Sequence, residues 1–239
     1  MQPQLLHTYQ SYIQDSTRWA RFNPRDDDIV IVTPPKTGTT WTQEIVLHLI
    51  FLGQTLPYDK ELSPWLDNRI KPIDEVLQLL EEQRHRRCIK SHLPLDGIPF
   101  FPQVKYIAVG RDPRDIFMSM WNHYSGFTPE FLAHANNLPG RNGPPLAPAP
   151  ANIHDFWEPW ISKGRVEWQQ EGYPFFGPMY HLQSWWNFQH LPNILLVHFA
   201  DLLVDTPSQI RRIANFLDIF ATDAQVEQIV QQTTISAMR

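Results

Sequence analysis

The segment from Asp28 to Gly53, DIVIVTPPKTGTTWTQEIVLHLIFLG, constrains the fold of this chain more than any other. The β-branched run Ile29 to Val32 predicts a buried strand. Two prolines and a small polar loop, Lys36-Thr37-Gly38-Thr39-Thr40, follow it. From Trp41 to about Phe51 the apolar run predicts a helix. Strand, tight loop and helix form an arrangement that holds anions, because the first N–H groups of a helix lack internal partners and its dipole favours negative charge there. Gly38 lets the backbone approach a ligand closely. Thr37, Thr39 and Thr40 offer hydroxyl donors and Lys36 a positive charge. This is not a Walker A loop, which places its lysine directly after the last glycine and then a Ser or Thr for magnesium; here Lys36 precedes the loop's glycine. The segment points to phosphate or sulfate binding without metal-dependent triphosphate chemistry. An ordinary strand-to-helix turn fits the same residues.

A length of 239 residues suits one α/β domain. A net charge of −5 disfavours general nucleic-acid binding. No run approaches the roughly 20 apolar residues of a membrane span, and the first residues lack the basic-then-apolar order of a signal peptide. One cysteine, Cys88, excludes an internal disulfide and suits a reducing, cytoplasmic setting. Nine Trp and 22 Pro suggest aromatic-lined pockets and long structured loops.

Taken in order, Gln4 to Trp19 reads as a first helix with Leu5, Tyr9, Ile13 and Trp19 on its apolar side. Gln54 to Pro72 reads as irregular, with an exposed Trp65. Ile73, Val76, Leu77 and Leu80 carry the spacing of an amphipathic helix. The basic run Arg84 to Arg87 follows, read as a solvated face. Cys88 to Lys90 predicts a short strand ending in the loop Ser91-His92-Leu93-Pro94, and Val104 to Val109 a buried one. Asp112-Pro113 offers a cap and first-turn proline for a helix to about Tyr124. Ser125 to Pro150 reads as a long loop, of the kind usually functional or mobile. Helices are expected at Ile153 to Lys163, Met179 to His190, after Thr206-Pro207 with Ile210, Ile213, Ala214 and Leu217 inward, and at Asp223 to Gln232; a strand is expected at Asn193 to Phe199. Alternating strands and helices imply an α/β fold, a mostly parallel central sheet flanked by helices. Ligands of such sheets bind at the carboxyl ends of the strands, where Lys36, Lys90, His92 and Arg111 all fall.

The lysines can stabilise developing negative charge. An imidazole can take a proton from a hydroxyl, and Arg111 with Ser119 can form a second anion site. Each residue alone has a plainer reading: His92 as a surface or hydrogen-bonded structural side chain, Arg111 as a partner of Asp112 or Asp115, Ser119 and Trp41 as packing.

Three stretches together resemble one family. Pro35-Lys36-Thr37-Gly38-Thr39-Thr40-Trp41 resembles the 5′-phosphosulfate loop of the cytosolic-type sulfotransferases, which use 3′-phosphoadenosine 5′-phosphosulfate (PAPS). Lys90-Ser91-His92-Leu93-Pro94 is similar to their Lys-Thr-His-Leu-Pro stretch, and VGRDPRDIFMSMWNHY from Val109 to Tyr124 to their 3′-phosphate segment. The order of elements from Tyr180 to Met238 also matches. The resemblance implies an in-line, metal-free sulfuryl transfer that leaves adenosine 3′,5′-bisphosphate (PAP). It implies His92 as base, Lys36 at the bridging oxygen and leaving phosphate, and Lys90 at the transferring group. Ser119 and Arg111 would hold the 3′-phosphate, with Ser119 also restraining Lys36. Thr37, Gly38, Thr39 and Thr40 would cradle the 5′-phosphate, and Trp41 would stack on adenine. Phe199 stands where the family usually has Tyr, and Thr233-Thr234-Ile235 where it often has Thr-Ser-Phe, so weaker adenine contacts are expected. The family's Arg-Lys-Gly tail, which closes over the 3′-phosphate, and its dimer motif would follow Arg239; the sequence is expected to lack that part of the domain, with lower cofactor affinity, and gives no oligomeric state. The His motif separates the chain from membrane-anchored carbohydrate sulfotransferases. A kinase with a modified phosphate loop and a non-catalytic nucleotide binder are the competing readings. The acceptor is expected to be a small, apolar or aromatic molecule held by residues 127–150 and by Trp65, Phe100, Phe101, Tyr124 and Trp157.

Overall fold

The computed structural model describes residues 2–52, 54, 56–57, 61–141 and 143–238. Gly53 and Arg239, which end segments discussed above, lie outside the described residues. At the centre lie β1 (Ile29–Val32), β2 (Cys88–Ser91), β3 (Lys105–Gly110) and β4 (Ile194–His198), all parallel in the order β2-β1-β3-β4. The four β1 residues are fully buried, because helices cover both sheet faces. Ile29 and Ile31 join the core beneath α1 (Thr39–Ile50), α8 (Thr206–Phe216) and α9 (Asp223–Gln232). Val30 and Val32 face the opposite core, which holds Trp19, Val76, Tyr106 and Trp185. This alternation is the period of an extended strand, read on two buried faces.

The remaining helices are α2 (Ile73–Glu82), α3 (Pro113–Ser125), α4 (Pro129–Asn137), α5 (Ile153–Ser162), α6 (Pro178–Trp186) and α7 (Phe199–Val204). Their ends follow local chemistry. Asp112 caps α3 through the Arg114 N–H with Pro113 in the first turn, and Thr222 forms a capping box with Gln225 at α9.

Several expectations need correction. Residues 2–15 do not form a helix. They carry no regular element, residues 10–15 turn back on themselves through the bridge of Gln10 to Asp15, and only Ser16–Arg21 closes, as a 3₁₀ turn capped by Asp15. The Tyr9 N–H bonds to the Ser16 hydroxyl and Leu6 and His7 donate to the Asp96 carbonyl, so long-range partners outcompete local helix bonds. The expected loop at Ser125 to Pro150 contains α4, capped by Thr128 with Pro129 at its start. The cap of α8 is Asp205, and Thr206-Pro207, expected to precede the helix, forms its first turn. Phe199 begins α7 and does not end β4.

The basic run is a solvated face only at Arg84; His85 and Arg86 are half-buried and Arg87 is buried. Arg87 is 1% exposed and forks onto the fully buried Asp28, with Nε–Oδ1 2.7 Å and Nη2–Oδ2 2.6 Å. This pair ties the residue before β1 to the residue before β2. Breaking a buried pair of this kind typically costs about 3–5 kcal/mol.

Candidate active site

β1, β2 and β3 all deliver residues to one edge of the sheet. A cavity of about 880 Å³ opens there, lined by Lys36, Gly38, Thr39, Thr40, Trp41, Lys90, His92, Arg111, Ser119, Phe199, Thr233, Thr234 and Ile235. Of the residues expected to act in catalysis or hold the cofactor only Thr37 is outside the lining: it is fully buried, and its hydroxyl donates to the Pro34 carbonyl at 2.8 Å. That bond closes the loop, so the Thr37 hydroxyl serves the turn and not the cavity. The Thr39 hydroxyl is likewise engaged, 2.6 Å from that of Thr33, and Thr233 donates to the Ile229 carbonyl at 2.8 Å. Thr40 is exposed to the cavity. Gly38 takes φ +102°, and a Cβ there would stand 2.7 Å from the Phe199 ring. Only glycine fits both demands.

Lys36 and Arg111 meet at the loop. Arg111 donates to the Lys36 carbonyl at 3.2 Å and lays its guanidinium carbon 4.4 Å from the Phe199 ring centroid. Its Nε lies 3.5 Å from Asp115 Oδ2 but makes no hydrogen bond, so the expected alternative pairing is present in a loose form. Asp112 is taken by Arg114 at 2.6 Å. Burial, and secondly the charge of Arg111, lower the Lys36 pKa. Trp41 crosses Phe199 at 5.6 Å, and its buried Nε1 has no partner among the described residues. The site thus holds cations and an indole donor whose bonds the fold leaves open.

Lys90 lies within β2. Its Nζ sits 4.5 Å from the Trp65 ring centroid, and burial lowers its pKa against the opposing pull of Asp67. Trp65 also packs edge-on against His92 at 4.7 Å, and an isolated bridge pairs it with Lys90. It is half-buried, not the exposed residue expected. His92 is buried, with Nδ1 2.7 Å from the Thr33 carbonyl oxygen. A carbonyl only accepts, so Nδ1 carries the proton and Nε2 keeps its lone pair. Burial, and then the Lys90 charge, hold the imidazole pKa well below the ordinary histidine value. The ring is therefore neutral at physiological pH.

Reading the sequence missed the group that supports this arrangement. Asp67 is fully buried and accepts from Trp19 Nε1 at 3.1 Å, from Trp65 Nε1, from the Ser91 hydroxyl and from the His92 backbone N–H. It ties Trp65, and through it Lys90, to the strand end that carries His92. Nothing local signals it, since its partners lie up to 48 residues away.

A profile of the sulfotransferase domain matches residues 26–239. The chain belongs to the sulfotransferase family. This sulfotransferase is 36% identical to the glycolipid sulfotransferase of Mycobacterium bovis (strain BCG / Pasteur 1173P2) over 97% of its own length and 75% of the relative's. It is 27% identical to sulfotransferase 1A1 of Rattus norvegicus, over 95% and 70%. In fold it matches mouse sulfotransferase SULT7A1 complexed with PAP, with TM-score 0.70, 24% identity, and coverage of 98% of this chain and 76% of that one. Retinol dehydratase in a complex with retinol and PAP matches with TM-score 0.64 and 24% identity, over 91% and 67%. This sulfotransferase is an enzyme of sulfuryl transfer.

The rest of the cavity departs from expectation. Trp65, Phe127, Thr128 and Phe131 line it, whereas Phe100, Phe101, Tyr124 and Trp157 do not. Phe100 stacks on Tyr106, Phe101 packs on Phe22, and Trp157 lies against Phe117. The Tyr124 ring is core, and its hydroxyl donates to the Ala147 carbonyl at 2.7 Å. Their places are taken by Tyr12, Phe175, Phe176, His123 and Arg165. Among the described residues no helix is long and apolar enough to cross a membrane.

Proposed function

We propose that this sulfotransferase acts on a hydroxyl or amine of a small apolar or aromatic acceptor, by in-line, metal-free transfer with His92 as general base. The observation that carries this reading is the fixed tautomer of His92, whose Nδ1–H is held by the Thr33 carbonyl while the neutral ring lines the same cavity as Lys36 and Lys90. In this mechanism the acceptor O–H or N–H gives its proton to Nε2 as its heavy atom bonds to sulfur. The bond from sulfur to the bridging oxygen of PAPS breaks, and the leaving 5′-phosphate keeps that electron pair. Lys36 neutralises the departing phosphate and Lys90 the sulfuryl oxygens.

Arg111, with its open Nε, and Ser119 suit the 3′-phosphate; Trp41, Phe199 and the segment Thr233 to Ile235 suit adenine. The backbone amides of the loop through Thr37, Gly38, Thr39 and Thr40 suit the 5′-phosphate at the start of α1. Relatives named for a glycolipid acceptor and bound to retinol support an apolar body in the acceptor. The single thiol, Cys88, buried and pushed up to about 12, is inert and suits a cytoplasmic enzyme.

The test is His92→Ala together with calorimetric titration of PAP, ADP and ATP, with and without magnesium. The expected result is magnesium-independent binding that prefers PAP, retained in the variant, with turnover lost. Unchanged turnover in His92→Ala would reject the base, and preference for ATP with magnesium would reject the cofactor assignment.

A further inference from the structure

Most arginines drawn into this fold are well matched. Arg87 has Asp28, and Arg69 donates to the carbonyls of Ser11, Leu138 and Pro139. Arg165 is different. It lines the cavity among Tyr12, Phe127, Phe175 and Phe176, with its guanidinium carbon 5.8 Å from the Phe176 ring centroid. One hydrogen bond is formed, from Nη1 to the Pro174 carbonyl at 2.8 Å. Nη2 is buried without a partner among the described residues. The titratable groups acting on it are Tyr12, Tyr173 and Arg141, with no carboxylate among them. A guanidinium so placed bears the cost of desolvation without a counter-charge. His92 packs against Trp65, whereas Arg165 lies against Pro174 and Phe176, so the two residues sit in different parts of the lining.

We propose that Arg165 determines acceptor specificity by pairing with an oxyanion, a carboxylate, phosphate or sulfate, carried on the apolar or aromatic acceptor at the end remote from the sulfated group. The inference rests on the reading of this half of the cavity as the acceptor site. The aromatic rings hold the body of such a molecule; Tyr12 lies 6.4 Å from Phe127 and 6.2 Å from Phe175, centroid to centroid. The oxyanion supplies the counter-charge that the fold withholds, in the forked geometry that guanidinium groups favour.

The experiment compares kcat/KM for two phenols of matched length, 4-pentylphenol and 5-(4-hydroxyphenyl)pentanoate, in the full chain and in Arg165→Gln and Arg165→Lys. A phosphonate in place of the carboxylate shows which oxyanion is preferred. The expected ratio favours the charged phenol by roughly tenfold or more, through KM. It collapses toward one in Arg165→Gln and is partly kept in Arg165→Lys. A ratio near one in the unaltered chain, or the same ratio in Arg165→Gln because both substrates fall together, overturns the proposal. Turnover of the neutral phenol upholds the acceptor site whatever the ratio shows, so the two readings fail separately. If neither phenol reacts, calorimetric binding of both to PAP-loaded protein gives the same ratio as dissociation constants, judged by the same outcomes.

Discussion

Along one wall of the cavity the charged side chains hang from the sheet, Lys90 within β2, Lys36 after β1 and Arg111 after β3; along the other, the side chains come from segments outside the sheet. The second wall is made of residues 11–14, the turn into α4 and residues 174–176; Tyr12, Phe127, Phe131 and Phe175 rest on an aromatic cluster around Phe117, Tyr124, Phe156 and Trp160, and Phe176 packs with Tyr9. The groups proposed to meet charge as it develops are thus set by hydrogen-bonded backbone. Those proposed to recognise the acceptor are carried by connecting segments, which tolerate change more readily than the sheet.

Substitutions on the two walls should separate accordingly. Lys90→Met removes a charge from the sheet wall, and kcat should drop by about 10²–10³ with PAP binding much less affected; a loss confined to the KM for acceptor would break the comparison. Gly38→Ala should weaken PAP binding by roughly tenfold or more, because φ +102° and the Phe199 ring both oppose a Cβ; calorimetry checks this. Asp67→Ala leaves the Ser91, Trp19 and Trp65 donors unpaired. It should cost roughly 1–3 kcal/mol in stability and reduce kcat more than it raises either KM, as thermal unfolding and steady-state rates would show. Phe131→Ala should raise the acceptor KM by only a few-fold and leave PAP affinity as it was.

Acidity sharpens the same contrast. A base works when unprotonated, and burial and Lys90 hold His92 well below the ordinary histidine range. The value of kcat/KM should therefore stay level as pH falls through about 6.5 and decline only well below it. A bend at about 6.5 would show that the group acting as base does not have the depressed pKa expected of His92. Stability follows the same sign. His92, and His181 at about 3, resist protonation when folded, so the unfolded chain takes up protons first below about pH 6.5 and stability declines with acid.

The sheet wall was legible in the sequence because each of its residues sits beside a local signal. The β-branched run of β1, the Lys36 to Thr40 loop and the Asp112-Pro113 cap each announce a strand end or a helix start within a few residues. Most of the other wall gave no such signal. The Thr128-Pro129 pair does announce α4, but the Pro, Gly and Asn residues beyond it gave the whole stretch the look of a loop. Tyr12, Arg165 and Phe175 carry ordinary local contexts and meet only in the folded chain. Arg87 and Asp67 show the same limit for buried charge: a basic run looks solvated until Asp28, 59 residues away, is placed against it.

The order β2-β1-β3 also acts as a ruler. Lys90, Lys36 and Arg111 stand at or just past the carboxyl ends of three adjacent strands, and adjacent strands are about 4.8 Å apart whatever their sequence. The interval between these chain positions therefore follows from the backbone ladder and the loops that leave it, while side chains set how strongly each mark is felt. Point substitutions can weaken or strengthen the grip on a ligand with separated anionic groups. Accepting a ligand whose charges fall at a different interval would require rebuilding the loops that leave the strands.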